Sequence, residues 1–424
     1  KKPAHLLEPS ATLCGEVRVA PIGIPEEASG AVGARIWENH PSNWIKAFPA
    51  PGKATHKHRR GKLLVWCPGP EGSASATLGA ARLAARAGAR IGAGWTTIAC
   101  DPSALAVLAL EPLAAIVRPT DLDGFTGLTI EHDALVIGPG MSKGPPAEAV
   151  LAAGLAAART VVLDAGALVL LAAEPDAAWR APTGLSAVLT PHEGEFARLW
   201  PDIAAEAWSR LDKARAAAER CRAVVVLKGA DTIVAAPDGR AAINVHASPW
   251  LATAGSGDVL AGLIGGLLAQ RMAPFEAACA GVWLHGDAGL RQGPGQIADD
   301  LPPMIPLTLR ALLGGHRLLV GLGVGGVGPQ PQRVGDDLLQ RFIFAGVQRL
   351  LHEVLQILRD RDGRFHGSAL PSVQISIDLG DRHHVSVFQL QVRQVREVIA
   401  LMLVGHALDR NDGAIAARQA VDGA

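Results

Sequence analysis

A glycine-rich turn followed directly by an apolar helical run lies between residues 249 and 268, in the sequence PWLATAGSGDVLAGLIGGLL. The apolar residues after the turn recur at the spacing of a helix. Glycines let a backbone approach a ligand closely, and the first N–H groups of a helix, with the positive end of its dipole, attract anions. The segment therefore predicts a phosphate-type anion site in front of a buried helix.

Asp258 closes this turn. A carboxylate beside a phosphate site is electrostatically unfavourable unless a metal or a proton-transfer role compensates for it, so Asp258 is a candidate general base. The alternative is that Asp258 caps the helix and that the glycines only make a turn, because Asp is a preferred N-cap residue. The turn by itself leaves both interpretations open.

Short apolar runs alternate with helical segments through the middle of the chain. Runs at 63–67, 95–99, 134–137, 161–163, 188–189 and 224–227 predict strands, and an Ala-rich stretch at 79–90 predicts a helix. This alternation indicates an α/β fold with a parallel sheet covered on both faces. Ligands bind outside the carboxyl ends of such strands, so the residues there are predicted to share one rim. They are Gly140, Asp164, His192, Glu195, Lys228 and Asp258.

Each rim residue also has a purely structural interpretation. His192 suits a helix cap or a satisfied core position, and the acidic residues before FARLW favour a helix N-terminus in any protein. Lys228 suits a surface position after a strand, and Asp231 with Thr232 suits an ordinary turn. The placement of these residues at successive strand ends is what favours a functional site.

The composition excludes several classes of protein. A chain of 424 residues with 49% hydrophobic and 19% charged residues is expected to be globular, with one large domain and additions or with two or three domains. A formal net charge of zero without a long Lys/Arg block predicts no nucleic-acid partner. Five widely spaced cysteines indicate reduced thiols in a cytoplasmic protein, and the apolar run at 259–269 is too short to cross a membrane.

Residues from about 37 to 313 resemble the ADP-dependent NAD(P)HX dehydratases, the carbohydrate-kinase-like half of bacterial bifunctional NAD(P)H-hydrate repair enzymes. The resemblance is carried by HKHRRG, GAARLAARAGARIGAG, DALVIGPG, VLTPHEGEFARL, KGADTIVAAPDGR and PWLATAGSGDVLAGLIGGLLAQ, and it continues through LHGDAG to GPGQIADDLPPMIP. It implies a ribokinase-like fold with a mostly parallel central sheet flanked by helices on both faces. LCGEVRVAPIGIPEEA resembles the last strand and exit of the partner epimerase domain, so residues 1–30 are expected to be a remnant without epimerase activity.

The resemblance implies a metabolite-repair reaction, in which (6S)-NADHX or NADPHX loses water to give NADH or NADPH while ADP becomes AMP and phosphate. Hydroxide is a poor leaving group, and phosphorylating the hydroxyl of the hydrate converts it into a good one. The resemblance makes Asp258 the base that deprotonates this hydroxyl. It also implies that the amides from Gly255 to Gly257 stabilise charge on the transferred phosphoryl group.

The remaining site residues follow from the resemblance by position. It assigns contacts with the nucleotide to Lys228, Gly229, Ala230, Asp231, Thr232 and Gly257, and contacts with the hydrated cofactor to Ala80, Gly140, His192 and Asp258. Glu195 takes the place of the superfamily's magnesium-linked glutamate, so a water-mediated contact with Mg²⁺ is expected. We also expect a homo-oligomer with a small-molecule substrate.

The chain departs from the family pattern at two places near the predicted site. Gly166, in LDAGAL, stands where the family usually has a second aspartate, and Met141 with Ser142 follows GPG in place of small residues. The first departure removes a carboxylate near the site. It therefore puts full activity, more than the fold, in question.

After about residue 313 the resemblance ends, and residues 314–424 are predicted to form a small α+β extension or a poorly ordered one. GLGVGG at 321–326 matches a dinucleotide-binding pattern, but the PQPQ that follows prevents the helix that such a site requires. The hydrophobic pattern predicts helices over 336–358 and 395–408. It predicts strands over 373–379 and 385–392 that could pair with each other, with a turn at 380–381 between them.

Two other functions remain open on the sequence. One is a small-molecule kinase of the same superfamily, and the other is a non-catalytic remnant that only binds a nucleotide. KGADT and the histidine of TPHEGE favour the dehydratase, because kinases of that type more often carry Asn at the histidine position. Retention of the whole turn from Gly255 to Asp258 argues against the remnant.

Overall fold

The computed structural model of the chain describes residues 1–20, 33–69, 78–109, 114–173, 179–321, 373–378 and 384–390. The described residues up to 321 belong to one compact unit, and those after residue 372 belong to another. Ten strands of the first unit form one sheet. They are β1 Ile36–Glu38, β2 Lys62–Cys67, β3 Trp95–Cys100, β4 Ile116–Pro119, β5 Ala134–Ile137, β6 Thr160–Leu163, β7 Ser186–Leu189, β8 Val224–Leu227, β9 Thr232–Ala235 and β10 Ala241–Asn244.

The order of the strands across this sheet is β1-β10-β9-β8-β7-β6-β5-β2-β3-β4. Neighbouring strands are parallel except β9, which is antiparallel to both β8 and β10. The run from β2 to β8 therefore brings all its carboxyl ends to one rim, as the alternating pattern predicts. The mostly parallel, ribokinase-like sheet is confirmed.

Helices cover the sheet and complete the first unit. They are α1 Ser10–Cys14, α2 Leu78–Ile91, α3 Leu105–Leu108, α4 Leu122–Glu131, α5 Pro145–Ala157, α6 Gly166–Leu171, α7 Glu193–Leu199, α8 Pro201–Ala205, α9 Arg210–Cys221, α10 Ser256–Ala269, α11 Pro274–Gln292 and α12 Leu301–Gly321. The helix predicted at 79–90 is α2, and the one predicted after the glycine turn is α10.

The central strand β2 shows how the two faces are filled. Leu63 and Val65 point into a core formed with α2, α10 and α11, whereas Leu64 and Trp66 point into the opposite core, and all four side chains are buried. A parallel strand covered on both faces is apolar at every position, because successive side chains alternate between the two faces. This is why the apolar runs in the sequence located these strands.

Small residues allow α10 to lie directly against α2. A methyl group built on Gly262 would lie 2.1 Å from the carbonyl oxygen of Ala84, and one built on Gly88 would lie 2.1 Å from a methyl carbon of Leu63. Gly262 is therefore required by the close packing of α10 on α2, and Gly88 allows α2 to pack closely on β2. This packing fixes where α10 begins, at the rim of the sheet.

The two ends of the chain are described only in part. Residues 16–20 form no strand, so the strand predicted over 16–24 is wrong for these residues, because their valine alternation meets no partner strand, and the rest of it lies outside the described residues. In the second unit, β11 Val373–Asp378 pairs antiparallel with β12 His384–Leu390, which confirms the predicted strand pair. The predicted turn at 380–381, the helices over 336–358 and 395–408, and most of GLGVGG lie outside the described residues.

The structure also bears on the expectations about the cysteines and about membrane-spanning segments. All five cysteines are free thiols, and four of them are buried, as predicted. Within the described ranges, every helix is too short or too polar to cross a bilayer.

Candidate active site

The first turn of α10 leaves backbone donors without partners. Gly255 occupies the cap position in a left-handed conformation with φ 86°, and Asp258 is the third residue of the helix, so the capping interpretation of Asp258 is wrong. The amide of Ser256 donates to the carbonyl of Thr253 over 3.3 Å. The amides of Gly257 and Asp258 find no hydrogen-bond acceptor among the described residues. Two donors at the positive end of a helix are therefore available to an anion.

The Asp258 carboxylate lies beside these amides and makes no hydrogen bond or ion pair with any described residue. Burial raises its pKa to about 7, the charge of Asp164 contributes in the same direction, and Lys228 opposes both. At neutral pH the carboxyl group thus exists in both protonation states. A group with this property is suited to take up a proton and release it again.

Lys228, at the carboxyl end of β8, carries the positive charge of the site. Its Nζ lies 3.0 Å from Asp164 Oδ1 and 3.8 Å from Glu195 Oε2, and a methyl group built on Gly257 would lie 3.4 Å from it. Burial alone would lower the pKa of Lys228, but the nearby carboxylates outweigh it and the pKa is raised. The ammonium group therefore stays charged at the start of α10.

Asp164 follows β6 and is almost completely buried, with 1% of its surface exposed. Its Oδ1 accepts a hydrogen bond from Thr190 Oγ1 over 2.7 Å in addition to the one from Lys228. The ends of β6, β7 and β8 thus meet at one point, as their order in the sheet predicts.

His192 and Glu195 cap α7 together. His192 Nδ1 accepts from the amides of Gly194, over 3.0 Å, and Glu195, while Glu195 Oε2 accepts from the amide of His192 over 2.9 Å. The structural interpretation of both residues is thus confirmed. The imidazole is still half exposed, and the amide of Lys228 donates to the carbonyl of Pro191 over 2.8 Å, so His192 also lies on the rim.

The turn between β8 and β9 satisfies its own polar side chains. Thr232 Oγ1 accepts from the amide of Gly229 and donates to its carbonyl. The buried Asp231 pairs with Arg210 through one carboxylate oxygen and accepts from the amide of Glu8, over 3.0 Å, through the other. Sequence reasoning missed Arg210 and Glu8, and neither has a spacing that points to Asp231.

Ala80 lies on a helix that borders the turn before α10, and Gly140 follows the carboxyl end of β5 at the rim of the sheet. Ala80 belongs to α2, whose Leu83 would be 2.8 Å from a methyl group built on Gly255. Gly140 follows β5 in a left-handed conformation with φ 75° and is partly exposed. Both positions are compatible with a ligand lying above the start of α10.

The two departures from the family pattern contact each other. A methyl group built on Gly166 would lie 2.3 Å from the carbonyl oxygen of Met141 and 2.8 Å from its Cβ. The backbone at Met141 therefore occupies the space that a side chain at position 166 needs. Gly166 is required by the local path of this chain, and Asp164 is the carboxylate that remains there.

The carboxylates of the site are arranged around Lys228 rather than around a metal. In the part of the chain that the structure describes, no three His, Cys, Asp or Glu side chains converge as a set of metal ligands. Glu195 already accepts from the His192 amide and faces Lys228. This donor set fits a magnesium ion that is held mainly by phosphate oxygens and water, which is how Mg²⁺ binds in many nucleotide sites.

Comparison with known proteins gives related sequences for most of the first unit. Residues 72–304 match the family model described as NAD(P)H-hydrate dehydratase. The chain is 36% identical over 344 residues to the bifunctional NAD(P)H-hydrate repair enzyme of Moorella thermoacetica, a match that covers 76% of this chain and 62% of that protein. It is 36% identical over 285 residues to the ADP-dependent (S)-NAD(P)H-hydrate dehydratase of Xanthomonas campestris, covering 63% of this chain and 94% of that protein.

The bifunctional relatives are longer than the matched region. The chain spans 62%, 56% and 46% of the length of those from Moorella thermoacetica, Thermosynechococcus vestitus and Gloeobacter violaceus. Among solved structures, it is similar to the ADP/ATP-dependent NAD(P)H-hydrate dehydratase of Bacillus subtilis co-crystallised with ATP and Mg²⁺. That likeness has a TM-score of 0.56 and 26% identity, and it covers 65% of this chain and 98% of the other.

Proposed function

Because this chain belongs to the NAD(P)H-hydrate dehydratase family, we propose that it removes water from (6S)-NADHX and NADPHX in a reaction that converts ADP into AMP and phosphate. Relatives named ADP-dependent (S)-NAD(P)H-hydrate dehydratase, at 36% and 39% identity, support both the substrate class and the nucleotide. One observation at the site carries the proposal for this chain. It is the Asp258 carboxylate, whose pKa is raised to about 7, beside two amides without partners.

The proposed chemistry uses these groups in two steps. Asp258 takes the proton of the hydrate's hydroxyl, the oxygen attacks the terminal phosphorus of ADP, and the bond from that phosphorus to the AMP oxygen breaks. The phosphate then leaves with the former hydroxyl oxygen while a neighbouring ring carbon loses a proton, which restores the double bond. The Gly257 and Asp258 amides and the Lys228 ammonium hold the charge on the phosphoryl oxygens.

The nucleotide and the hydrated cofactor are proposed to lie on opposite sides of the transferred phosphoryl group. The nucleotide lies along the turn from Lys228 to Thr232 and contacts its backbone, because the polar side chains of that turn already have partners. The hydrated nicotinamide lies against Ala80, Gly140 and His192. Mg²⁺, carried on the phosphates of the nucleotide, would reach Glu195 through water and would neutralise phosphate charge.

The proposal is tested by giving the purified protein NADHX, ADP and Mg²⁺ and following the absorbance of NADH. We expect NADH to form only when ADP is present. Asp258→Asn should lower the rate by about 10²- to 10⁴-fold, the range for loss of a general base. Asp123→Asn, which changes an exposed residue of α4, should keep the wild-type rate.

The same assay separates the alternatives. If NADH does not form but ADP still raises the melting temperature, the protein binds the nucleotide without being this dehydratase. Phosphorylation of a sugar or a vitamin precursor in the presence of ATP would then identify a small-molecule kinase. Neither activity, with nucleotide binding retained, would identify a non-catalytic remnant.

The setting of the reaction is also proposed. Five free thiols, four of them buried, are typical of a reducing compartment and favour the cytoplasm. The homo-oligomer and the origin of residues 1–30 in an epimerase domain stay predictions.

A further inference from the structure

A buried histidine is hydrogen-bonded to the first residue of α10. His285, on α11, has its Nε2 3.0 Å from the hydroxyl oxygen of Ser256, and both residues are buried, with 9% and 4% of their surface exposed. Ser256 directly precedes the two amides without partners and lies two residues before Asp258. His285 thus contacts the candidate site at Ser256.

The bond determines what the Ser256 hydroxyl does. Burying a serine hydroxyl without a partner is unfavourable, and serine in a helix otherwise bonds to nearby backbone groups. With His285 as its partner, the hydroxyl is directed away from the amides that follow it. Since the amide of Ser256 is held by the Thr253 carbonyl, both the backbone and the side chain of this residue are fixed.

The same helix also holds the other end of the loop that leads to α10. His246, just after β10, stacks on Trp283 with ring centroids 4.6 Å apart, and its Nε2 lies 3.1 Å from Asp287 Oδ1. The loop between β10 and α10 is therefore attached to α11 near its start, at His246, and at its end, at Ser256.

The imidazole of His285 is neutral in this position. Burial lowers its pKa to about 4, a hydrogen bond to the backbone of Ser256 acts in the opposite direction, and the positive charge of Lys228 adds to the effect of burial. A histidine that stays neutral at working pH serves as a hydrogen-bond partner. The neutral imidazole adds no charge beside the phosphate. The positive charge there comes from the Lys228 ammonium group.

We propose that His285 is a positioning residue for the reaction proposed above. Through Ser256 it fixes the first turn of α10, so that the amides of Gly257 and Asp258 and the Asp258 carboxylate converge on the transferred phosphoryl group. The role in catalysis rests on the proposed function. The restraint on the helix start does not, and it is measured separately.

A double-mutant cycle tests the proposal. His285→Leu and Ser256→Ala each remove the hydrogen bond, and each should lower kcat by about 10- to 100-fold, because a displacement of about 1 Å costs about 10²-fold in rate. KM for ADP should change by less than about threefold, since the loss concerns the transition state. The double variant should be no slower than the slower single variant. His285→Gln, which places an amide near the Nε2 position, should recover most of the rate.

A matched control separates this role from packing. Phe275→Leu changes a buried side chain ten residues earlier on α11, about 15 Å away along the helix. It should lower the melting temperature as much as His285→Leu does and leave kcat unchanged. Additive losses in the cycle, a slow His285→Gln variant, or a Phe275→Leu variant as slow as His285→Leu would each overturn the proposal.

Hydrogen exchange distinguishes this proposal from the proposed function. In His285→Leu and in Ser256→Ala, the peptide covering residues 252–260 should exchange faster to the same extent, with no further increase in the double variant. Unequal or additive exchange overturns the positioning role whatever the substrate. A wild-type protein that does not convert NADHX contradicts the proposed function, and the catalytic part of this proposal with it, while equal and non-additive exchange keeps the restraint on α10.

Discussion

Two turns of similar appearance border the candidate site, and they use their polar groups in opposite ways. The turn before α10 leaves the amides of Gly257 and Asp258 and the Asp258 carboxylate without partners. The turn between β8 and β9 pairs Asp231 with Arg210 and Glu8 and closes Thr232 onto Gly229. Unsatisfied polar groups in a partly buried position are costly, so a fold retains them mainly where a ligand will satisfy them. The first turn is thus expected to act on the ligand, and the second to shape the surface on which it lies.

Lys228 belongs to both turns, and its removal has the largest expected effect. Lys228→Met keeps the length of the side chain but leaves the buried carboxylates of Asp164 and Glu195 without their cation. Removing one partner of a buried charge group costs about 3–5 kcal/mol, so the free energy of unfolding, measured with urea, should fall by about that amount. Since Lys228 opposes the rise of the Asp258 pKa, the acid limb of the pH–rate profile should move to higher pH.

The exposed Lys46 provides the control for this variant. Lys46→Met should change the free energy of unfolding by less than about 0.5 kcal/mol, because surface substitutions away from such clusters have small effects. If both variants have the same small effect, the carboxylates do not depend on Lys228. Lys228 would then not link the stability of the second turn to that of the first.

Asp231→Asn tests whether the second turn is structural. The change removes the charge that faces Arg210 and leaves only one oxygen for two donors, so the free energy of unfolding should fall by about 2 kcal/mol. Affinity for ADP, measured by calorimetry, should stay within about threefold of the wild-type value, because the carboxylate points at Arg210 and Glu8. A loss of ADP affinity without a loss of stability would show that the Asp231 carboxylate binds the ligand, and that the second turn is not structural.

The matched control is the exposed pair of Arg220 with Asp202. Their two hydrogen bonds, of 2.8 and 2.7 Å, have the geometry of a good Arg–Asp pair at the surface. Asp202→Asn should cost less than about 1 kcal/mol, as exposed pairs do. The difference between the two variants measures what burial adds to the Asp231 pair.

The contrast between the turns was only partly predictable. Apolar runs such as VVVL at 224–227 located the central strands, because a strand buried on both faces is apolar throughout. The edge strand β4, in which Ile116 is 38% exposed, gives no such run. The residues that distinguish the two turns are distant in sequence from their partners. His285 is 29 residues from Ser256, and Glu8 is 223 residues from Asp231. Contacts between residues so far apart leave no periodic pattern in the sequence from which they could be predicted.

The smallest expected effect concerns the stability that Asp258 costs the protein. Its pKa in the folded state, about 7, is above its ordinary value of 3.8, so between these pH values the folded state binds the proton more tightly than the unfolded state does. The contribution of Asp258 to stability is therefore lost as pH rises from about 4 to 7. The amide of Asp258→Asn does not titrate. The free energy of unfolding of this variant should therefore exceed that of the wild type by about 1–2 kcal/mol at pH 8 and should equal it near pH 4.

Urea unfolding of both proteins at several pH values measures this difference, and Asp123→Asn, an exposed carboxylate of α4, gives the reference curve. The rise of the Asp258 pKa from 3.8 to about 7 corresponds to about 4 kcal/mol, and solvent at the partly exposed carboxyl group reduces this to the smaller figure given above. A stabilised but inactive Asp258→Asn would show that the first turn is maintained for reaction at the expense of stability. An Asp258→Asn curve parallel to the wild-type curve at all pH values would contradict the raised pKa, and the first turn would then be as well satisfied as the second.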